Sequence, residues 1–171
     1  MNIKDAILED RSNESIWRIA YYVLENPLEL NNLWGLIEQG SSQMQMRASW
    51  VLTKVIEKDS SMLGSLFGVV LSTLGSTENS GLKRNLLRSI YYADFYEKDY
   101  SILFDLACGI LSNPSEPIAV RMFSMRIAYR VVILVPELAQ EYLKLLKSVE
   151  GSITSPGLRN AYVELISLAS K

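Results

Sequence analysis

Apolar residues recur along most of this chain at the spacing i, i+3, i+4 and i+7, which brings them onto one face of a helix. Four such stripes predict four helices that each bury one side. Their members are Leu30, Leu33, Trp34 and Ile37; Leu63, Leu66, Phe67 and Val70; Leu103, Leu106, Ala107 and Ile110; and Leu138, Glu141, Tyr142 and Leu145. Only Glu141 interrupts the pattern. Because a helix with one apolar face needs neighbours to cover it, the stripes predict helices packed on one another.

Two further helices are predicted before the first of these stripes. The first covers about residues 3–9. The second covers residues 14–25 and has Asn13 as its N-cap, since asparagine is a favourable residue at that position. The spacing of its apolar residues predicts a buried face formed by Trp17, Ala20, Tyr21 and Leu24.

A second type of helix alternates with the first and is marked by a regularly spaced arginine. Arg84 follows Arg47 by 37 residues, Arg121 follows Arg84 by 37, and Arg159 follows Arg121 by 38. Each arginine lies near the start of a predicted helix, and these helices cover residues 43–58, 80–93, 117–134 and 156–169. Internal repetition at such a period is typical of proteins built from stacked repeats.

The two helix types together predict an all-α fold, a right-handed α-α superhelix of about five antiparallel helix pairs with essentially no β-strand. We expect one domain over residues 1–171, with a cap at 1–25 and repeats at about 27–58, 60–94, 99–134 and 137–170. Gly40, Gly75 and Gly151 follow helices, where a residue in the left-handed conformation is favourable.

Composition argues against several kinds of function. The formal net charge is −2 and the pI is near 5.3, so we expect no broad basic surface for nucleic acid. The chain has no histidine and a single cysteine, Cys108, so it lacks the usual ligands for zinc and cannot form an intramolecular disulfide. We therefore expect no metal, no cofactor and a reducing compartment, the cytoplasm. No apolar segment approaches the roughly 20 residues that cross a bilayer, and no signal peptide is evident, so we expect no membrane partner.

The arginine helices resemble the second helix of HEAT repeats, in which a turn is followed by an apolar residue, an arginine, and then small and leucine positions. The matching pairs are Met46-Arg47, Val120-Arg121 and Leu158-Arg159, and Ile90, Ile127 and Leu165 follow their arginines by six residues. The resemblance covers about residues 27–171 and implies a divergent HEAT-like solenoid that binds other proteins.

The same resemblance implies a structural role for the repeated arginines. In HEAT repeats the matching arginine bonds an aspartate about six residues earlier, which forms a ladder between repeats. The positions six residues before the four arginines hold Ser41, Glu78, Ser115 and Ile153, and Glu116 follows Ser115. We therefore expect a partial ladder formed by Arg47, Arg84, Arg121, Arg159, Glu78 and Glu116, in which Arg84 and Arg121 have acids nearby.

A second, shorter resemblance offers an enzymatic alternative. Residues Gly40 to Ser49 resemble the signature loop of the fumarase and adenylosuccinate lyase superfamily, G-S-S-x-M-P-x-K-x-N, and match at Gly40, Ser41, Ser42 and Met44. The resemblance implies that Ser42 would be the catalytic base. Arg47, Ser49 and Gln45 stand where the signature has lysine, asparagine and proline. The same ten residues also fit a turn and cap that lead into an arginine helix.

Cations and tyrosines on the arginine helices form the candidate binding surface. Arg88 precedes Tyr92 by four residues, as Arg126 precedes Arg130, and Tyr129 lies three residues after Arg126. The second helices of a solenoid line its concave face, so these residues predict a groove for a protein or an acidic or phosphorylated peptide. The alternative interpretation is that the arginines pair with Glu97, Glu116 or Glu164 and that the tyrosines pack between repeats.

Two other hypotheses concern partners. DNA glycosylases that bind alkylated DNA also have a concave HEAT-like surface, with an acid and tryptophans at the lesion, and here only Trp50 and Glu57 suggest such a site. The last helix has an apolar stripe, which predicts a homodimer formed through it because terminal repeats usually expose a polar face. The stripe consists of Leu158, Ala161, Tyr162, Leu165, Ile166 and Ala169. Our principal expectation is a non-catalytic scaffold or adaptor.

Overall fold

The computed structural model describes residues 1–170 apart from the side chain of Lys98, and these residues form ten α-helices and no strand. The all-α fold predicted from the sequence is confirmed. The helices are α1 (Ile3–Glu9), α2 (Asn13–Glu25), α3 (Glu29–Gln39), α4 (Ser42–Lys58), α5 (Phe67–Ser76), α6 (Ser80–Tyr92), α7 (Tyr100–Ser112), α8 (Ile118–Leu134), α9 (Ala139–Val149) and α10 (Pro156–Ala169). Short 3-10 segments lie at Ser60–Leu66, Glu97–Asp99, Pro136–Leu138 and Glu150–Ser152.

The chain divides into two compact units. Unit 1 is Met1–Asp94 and contains α1 to α6, and unit 2 begins at Phe95 and contains α7 to α10. In unit 1, α4 packs against α2, α3 and α6, and in unit 2, α8 packs against α7, α9 and α10. The helices α4, α6, α8 and α10 carry the repeated arginines and are called the arginine helices below.

Burial follows the predicted stripes in α3 and α5 but not in α9. Every member of the first two stripes is buried, and Phe67, which begins α5, continues the face that Leu63 and Leu66 start in the 3-10 segment. The prediction for α9 was wrong, because this helix buries Tyr142, Leu146 and Val149 and leaves Glu141 exposed. Shifting the face in this way keeps the carboxylate in water, where an unpaired charge costs least.

The predicted buried face of α2 was also wrong. The residues it buries are Ile16, Ile19, Ala20 and Val23, whereas Trp17 is half-buried and 49% of Tyr21 is exposed. The cap is Ser12 rather than Asn13, since Ser12 Oγ accepts a hydrogen bond of 3.1 Å from the backbone N–H of Ser15. The helix is therefore rotated relative to the prediction, and its aromatic residues lie towards the surface.

The prediction that Gly40, Gly75 and Gly151 follow helices as left-handed residues was wrong. Gly40 is extended, with φ −76° and ψ 164°, so it is not left-handed. A Cβ at this position would collide with the carbonyl oxygen of Leu36 and approach Met44 Cγ to 2.8 Å. The absence of a side chain, rather than backbone freedom, is what the turn into α4 requires. Gly75 lies within α5, and Gly151 lies within the 3-10 segment before α10.

Candidate functional site

The rotation of α2 brings two aromatic rings to the surface of unit 1. The rings of Trp17 and Tyr21 stack with their centroids 5.7 Å apart, and they lie one helical turn apart on α2. Because α4 packs against α2, residues near the C-terminal end of α4 reach the Trp17 ring. Sequence reasoning missed this arrangement, since it placed both aromatic residues in the core.

Two lysines of α4 lie over the Trp17 ring. Lys54 Nζ is 4.7 Å from the ring centroid and Lys58 Nζ is 5.3 Å from it. The two lysines are four residues apart and therefore share one face of the helix. An ammonium group over an indole is attracted by the negative face of the ring, so Trp17 holds two positive charges close together despite their mutual repulsion.

Arg88 and Tyr92 of α6 extend the same surface through Glu57. The Glu57 carboxylate lies 2.8 Å from Lys54 Nζ and 2.6 Å from Arg88 Nη2, so it joins α4 to α6. The guanidinium carbon of Arg88 is 5.7 Å from the centroid of the Tyr92 ring. Seven residues thus form one continuous set of contacts across α2, α4 and α6, which we call the cation–aromatic surface: Trp17, Tyr21, Lys54, Glu57, Lys58, Arg88 and Tyr92.

The predicted contact residues of unit 2 have protein partners within that unit. Arg126 Nη2 donates a hydrogen bond of 2.9 Å to Glu164 Oε2, and the guanidinium carbon of Arg130 lies 4.0 Å from the centroid of the Phe95 ring. The ring of Tyr129 is half-buried, and its centroid is 6.1 Å from that of Tyr142. The pairing of Arg126 with Glu164 is one of the three pairings that the alternative interpretation of the sequence named.

The repeated arginines differ in burial and in what they bind, beginning with Arg121. This side chain is 3% exposed, and burial lowers its pKa from the ordinary arginine value. Its Nε donates to the carbonyl of Leu111 at 3.1 Å, Nη1 donates to the carbonyl of Ser152 at 3.1 Å, and Nη2 donates to Ser152 Oγ at 2.6 Å. Arg159 Nη2 donates to the carbonyl of Ile153 at 2.8 Å. Two successive arginines therefore bind the main chain of one turn.

In unit 1 the adjacent arginine helices are joined by uncharged groups instead. Asn85 Nδ2 of α6 donates to the carbonyl of Met46 at 2.9 Å and to Ser49 Oγ at 3.1 Å. Thr53 Oγ1 lies 3.1 Å from Ser89 Oγ within the same buried interface. Asn79 completes the connection, because its Nδ2 donates to the carbonyl of Ser42 at 2.9 Å while its Oδ1 caps α6. We call this set of bonds the amide–hydroxyl ladder.

The remaining predicted ladder residues differ in burial. Arg84 is exposed, and its Nε donates to Asn85 Oδ1 at 3.4 Å. Arg47 is 6% exposed, Glu78 is exposed and Glu116 is half-buried. The signal that could have identified the amide–hydroxyl ladder is the polar side chains at 49, 53, 85 and 89, which lie on faces that otherwise read as apolar.

The serine of the lyase hypothesis lies at the exposed start of α4. The N-cap is Ser41, whose Oγ accepts from the backbone N–H of Met44 at 3.4 Å, and Ser42 is the first residue of the helix. The carbonyl of Ser42 accepts the bond from Asn79 described above. A groove of about 950 Å³ lies beside this turn and is lined by residues of α1 and α3 with Gly40, Ser41 and Met44.

The apolar stripe that motivated the dimer prediction packs within unit 2. Leu158, Ala161, Tyr162 and Leu165 are at most 5% exposed, and α10 contacts α8 and α9. Val163 and Leu168 are the large apolar residues that α10 exposes among those described. Dimerisation through α10 stays a prediction, and sedimentation at micromolar concentration tests it.

Residues 1–170 contain no group of three carboxylate or thiol side chains placed to hold a metal ion. In that same range, no helix combines the length and the hydropathy that a membrane span needs. The Cys108 thiol is half-buried on α7, and burial raises its pKa to about 12, as do the carboxylates of Glu141 and Asp105. A thiol with so high a pKa is a poor nucleophile at neutral pH.

Comparison with known proteins identifies the family. A model of the HEAT repeat domain matches residues 3–167, which is nearly the whole chain and includes both units. Neither the curated proteins nor the solved structures give a significant match. HEAT repeats generally mediate protein interactions, which agrees with surfaces built from side chains of successive helices. The matched length, the ten helices and the arginine period lead to one conclusion: the chain belongs to the HEAT repeat family.

Proposed function

We propose that this protein is a non-catalytic adaptor that binds an acidic segment of a partner protein on the cation–aromatic surface of unit 1. The observation that carries the proposal is the continuous contact of three cations with aromatic rings across α2, α4 and α6. Such a surface offers rigid contact area from the rings and charge-assisted hydrogen bonds from the cations.

Charge supports an acidic ligand. Lys54, Lys58 and Arg88 contribute three positive charges and Glu57 one negative charge, so the surface is locally +2 on a protein whose net charge is −2. Lys58 is exposed, and 35% of the Arg88 side chain is exposed, so both reach solvent. Carboxylates or a phosphorylated side chain of the partner would bind these two groups.

Exposed rings support a peptide rather than a small anion. Of the two outer tyrosines, Tyr21 is 49% exposed and Tyr92 is 38% exposed, and they lie on α2 and α6 with the cations of α4 between these helices. Aromatic side chains are enriched among the residues that contribute most to protein interfaces, because they bury a large area with little loss of entropy. A peptide that follows this surface would contact both rings.

The residues of unit 2 form a second proposed contact region. These residues are Arg126, Tyr129 and Arg130 of α8. Arg126 forms an ion pair with Glu164, whose side chain is 50% exposed. Exposed ion pairs of this kind contribute little to stability, so an acidic ligand can compete for the arginine. An Arg126→Glu, Arg130→Glu double variant tests this region separately from unit 1.

Selection from a random peptide-display library tests the main proposal. Wild-type protein should enrich peptides rich in aspartate and glutamate, and a Lys58→Glu, Arg88→Glu variant should lose that enrichment. A matched control, Lys144→Glu with Lys147→Glu, makes the same charge change on exposed lysines of α9 and should keep it.

Three results would contradict the proposal. Selection of neutral or basic peptides by the wild type would show that charge is not the basis of recognition. Equal loss of binding in the control variant would show that only net charge matters. Tighter binding of a single-stranded oligonucleotide than of the selected peptides would favour nucleic acid as the partner.

A further inference from the structure

Glu57 is the one acidic residue of the cation–aromatic surface. Its side chain is 14% exposed, and its two carboxylate oxygens face different cations: Oε2 faces Lys54 and Oε1 faces Arg88. Lys54 lies one turn earlier on the same helix, whereas Arg88 comes from α6. The carboxylate thus stands between the cations of the cation–aromatic surface, in the place of a bound anion.

The two contacts of Glu57 are unequal. The bond from Lys54 Nζ is an aligned hydrogen bond of 2.8 Å. The approach of Arg88 Nη2 is close, but Glu57 Oε1 and Arg88 Nε are both buried and have no hydrogen-bond partner in the structure. A guanidinium binds a carboxylate best through two parallel N–H bonds, and this pair does not form them. Arg88 therefore keeps bonding capacity that its internal partner does not use.

We propose that Glu57 is an internal competitor: its carboxylate occupies the anion-binding site formed by Lys54 and Arg88, and an acidic side chain of the partner displaces it from Arg88. This inference rests on the function proposed above and specifies how the affinity of that surface is set. The incoming carboxylate accepts two parallel bonds from Arg88, while Glu57 remains bonded to Lys54 and turns towards solvent.

In the unbound protein, the negative charge of Glu57 offsets the repulsion among the cations of the cation–aromatic surface. Without Glu57, three cations would lie close together around Trp17 and Tyr92, and their repulsion would destabilise unit 1 in the unbound protein. With Glu57 in place, the unbound state is stabilised, and the affinity for acidic ligands is correspondingly lower. Removing the competing charge should raise affinity, because the ligand no longer has to replace an existing ion pair.

The test uses a fluorescein-labelled octaglutamate peptide and fluorescence anisotropy on the full chain. Glu57→Gln keeps the shape of the side chain and removes its charge, and it should bind the probe about threefold to tenfold more tightly than wild type. Glu38→Gln, on an exposed acid of α3, makes the same change in net charge and should leave affinity within about twofold. In Glu57→Gln with Arg88→Gln, the gain should disappear.

A shorter acid provides a second variant in case Glu57→Gln folds poorly. Glu57→Asp keeps the charge but withdraws the carboxylate by one methylene, so it cannot reach both cations, and it should show a smaller gain in affinity. Thermal unfolding confirms that each variant is folded before its binding is measured.

The possible outcomes separate this inference from the proposed function. If wild type binds octaglutamate through Lys58 and Arg88 but Glu57→Gln binds equally or more weakly, Glu57 is a structural or contact residue and the inference is overturned alone. If neither protein binds the probe, both proposals are overturned. If Glu38→Gln gains as much as Glu57→Gln, the effect is one of net charge, and the internal-competitor assignment is rejected.

Discussion

The two units join their arginine helices by different chemistry. In unit 1, α4 and α6 are connected by the amide–hydroxyl ladder, in which Asn85 binds the carbonyl of Met46 and Ser49 Oγ. In unit 2, Arg121 of α8 and Arg159 of α10 both bind the main chain around Ser152, and Arg121 also binds the carbonyl of Leu111. Uncharged side chains thus hold one pair of helices, and guanidinium groups hold the other.

The comparison shows that a repeated residue need not keep a repeated role. Arg84 and Arg121 are one period apart, yet the first is exposed and the second is 3% exposed. A buried guanidinium is costly unless its donors find acceptors, and the bonds to Leu111 and Ser152 give each of the three guanidinium nitrogens of Arg121 an acceptor. In unit 1 the neighbouring Asn85 binds across the helices, so Arg84 is not required there.

The two units can be distinguished by chemical labelling, because the single cysteine, Cys108, lies in unit 2 and its reaction rate reports on the folding of that unit alone. Burial raises its pKa from 9.0 to about 12, so at pH 8 the thiolate should be on the order of a thousandfold rarer than in the unfolded chain. Alkylation by iodoacetamide, followed by mass spectrometry, should be slower in the folded protein by a similar factor. Because the folded state holds this proton more tightly, unit 2 should also lose stability as the pH rises above 9.0. Equal rates in native buffer and in denaturant would show that unit 2 is open.

Alanine in place of Arg121 should destabilise unit 2, whereas alanine in place of Arg84 should leave unit 1 nearly unchanged. Arg121→Ala removes three hydrogen bonds and leaves a cavity and unpaired carbonyls, so it should reduce the free energy of unfolding by about 2–4 kcal/mol. Arg84→Ala, one period earlier, should change it by no more than about 0.5 kcal/mol, because that side chain is exposed. Urea unfolding measures both, and equal effects would contradict the distinction.

In unit 1, the loss of a residue of the amide–hydroxyl ladder should lower the free energy of unfolding. Asn85→Ala removes both bonds from Nδ2 and leaves the buried Ser49 hydroxyl without that donor, so it should cost about 2 kcal/mol in urea unfolding. The control is Asn32→Ala, which loses only an exposed bond to Glu29 and should cost less than about 0.5 kcal/mol. A cost for Asn85→Ala as small as that of the control would mean that the ladder contributes little to unit 1.

The hydroxyl group of Tyr142 should make the smallest of these contributions to the free energy of unfolding. Tyr142 is fully buried, its pKa is raised by burial, and its O–H donates to the carbonyl of Met125 at 2.8 Å. Tyr142→Phe removes only this bond and should cost about 1 kcal/mol. Tyr21→Phe in unit 1 is the control, because half of that side chain is exposed, and its unfolding should match wild type. A loss above about 3 kcal/mol at Tyr142 would indicate a role beyond one hydrogen bond.

Much of the fold could be predicted from the sequence, because helix ends and the arginine period are local signals. The face that α2 buries could not. Two stripes with the same spacing run along this helix, one through Trp17 and Tyr21 and one through Ile16 and Val23. Only the packing of α2 against α1 and α4 decides between them, and it selects the aliphatic stripe.

The candidate site shows the same limit. Arg88 and Tyr92 could be identified because their spacing within α6 is visible in the chain. Trp17, Lys54 and Glu57 could not, since their relation to Arg88 exists only once three helices pack together. The bonds of Arg121 were also hidden, because its acceptors at Leu111 and at Ser152 are mostly main-chain carbonyls, which every residue has.

The two ammonium groups over Trp17 have an optical consequence. The emission of an indole depends on the electric field across its rings, and charges 4.7 and 5.3 Å from the ring centroid supply a strong one. The chain has two other tryptophans, of which Trp34 is buried and Trp50 half-buried. In a variant with phenylalanine at those two positions, any ligand that draws Lys54 or Lys58 away from the ring should shift the emission spectrum, so the protein contains its own fluorescent reporter of occupancy.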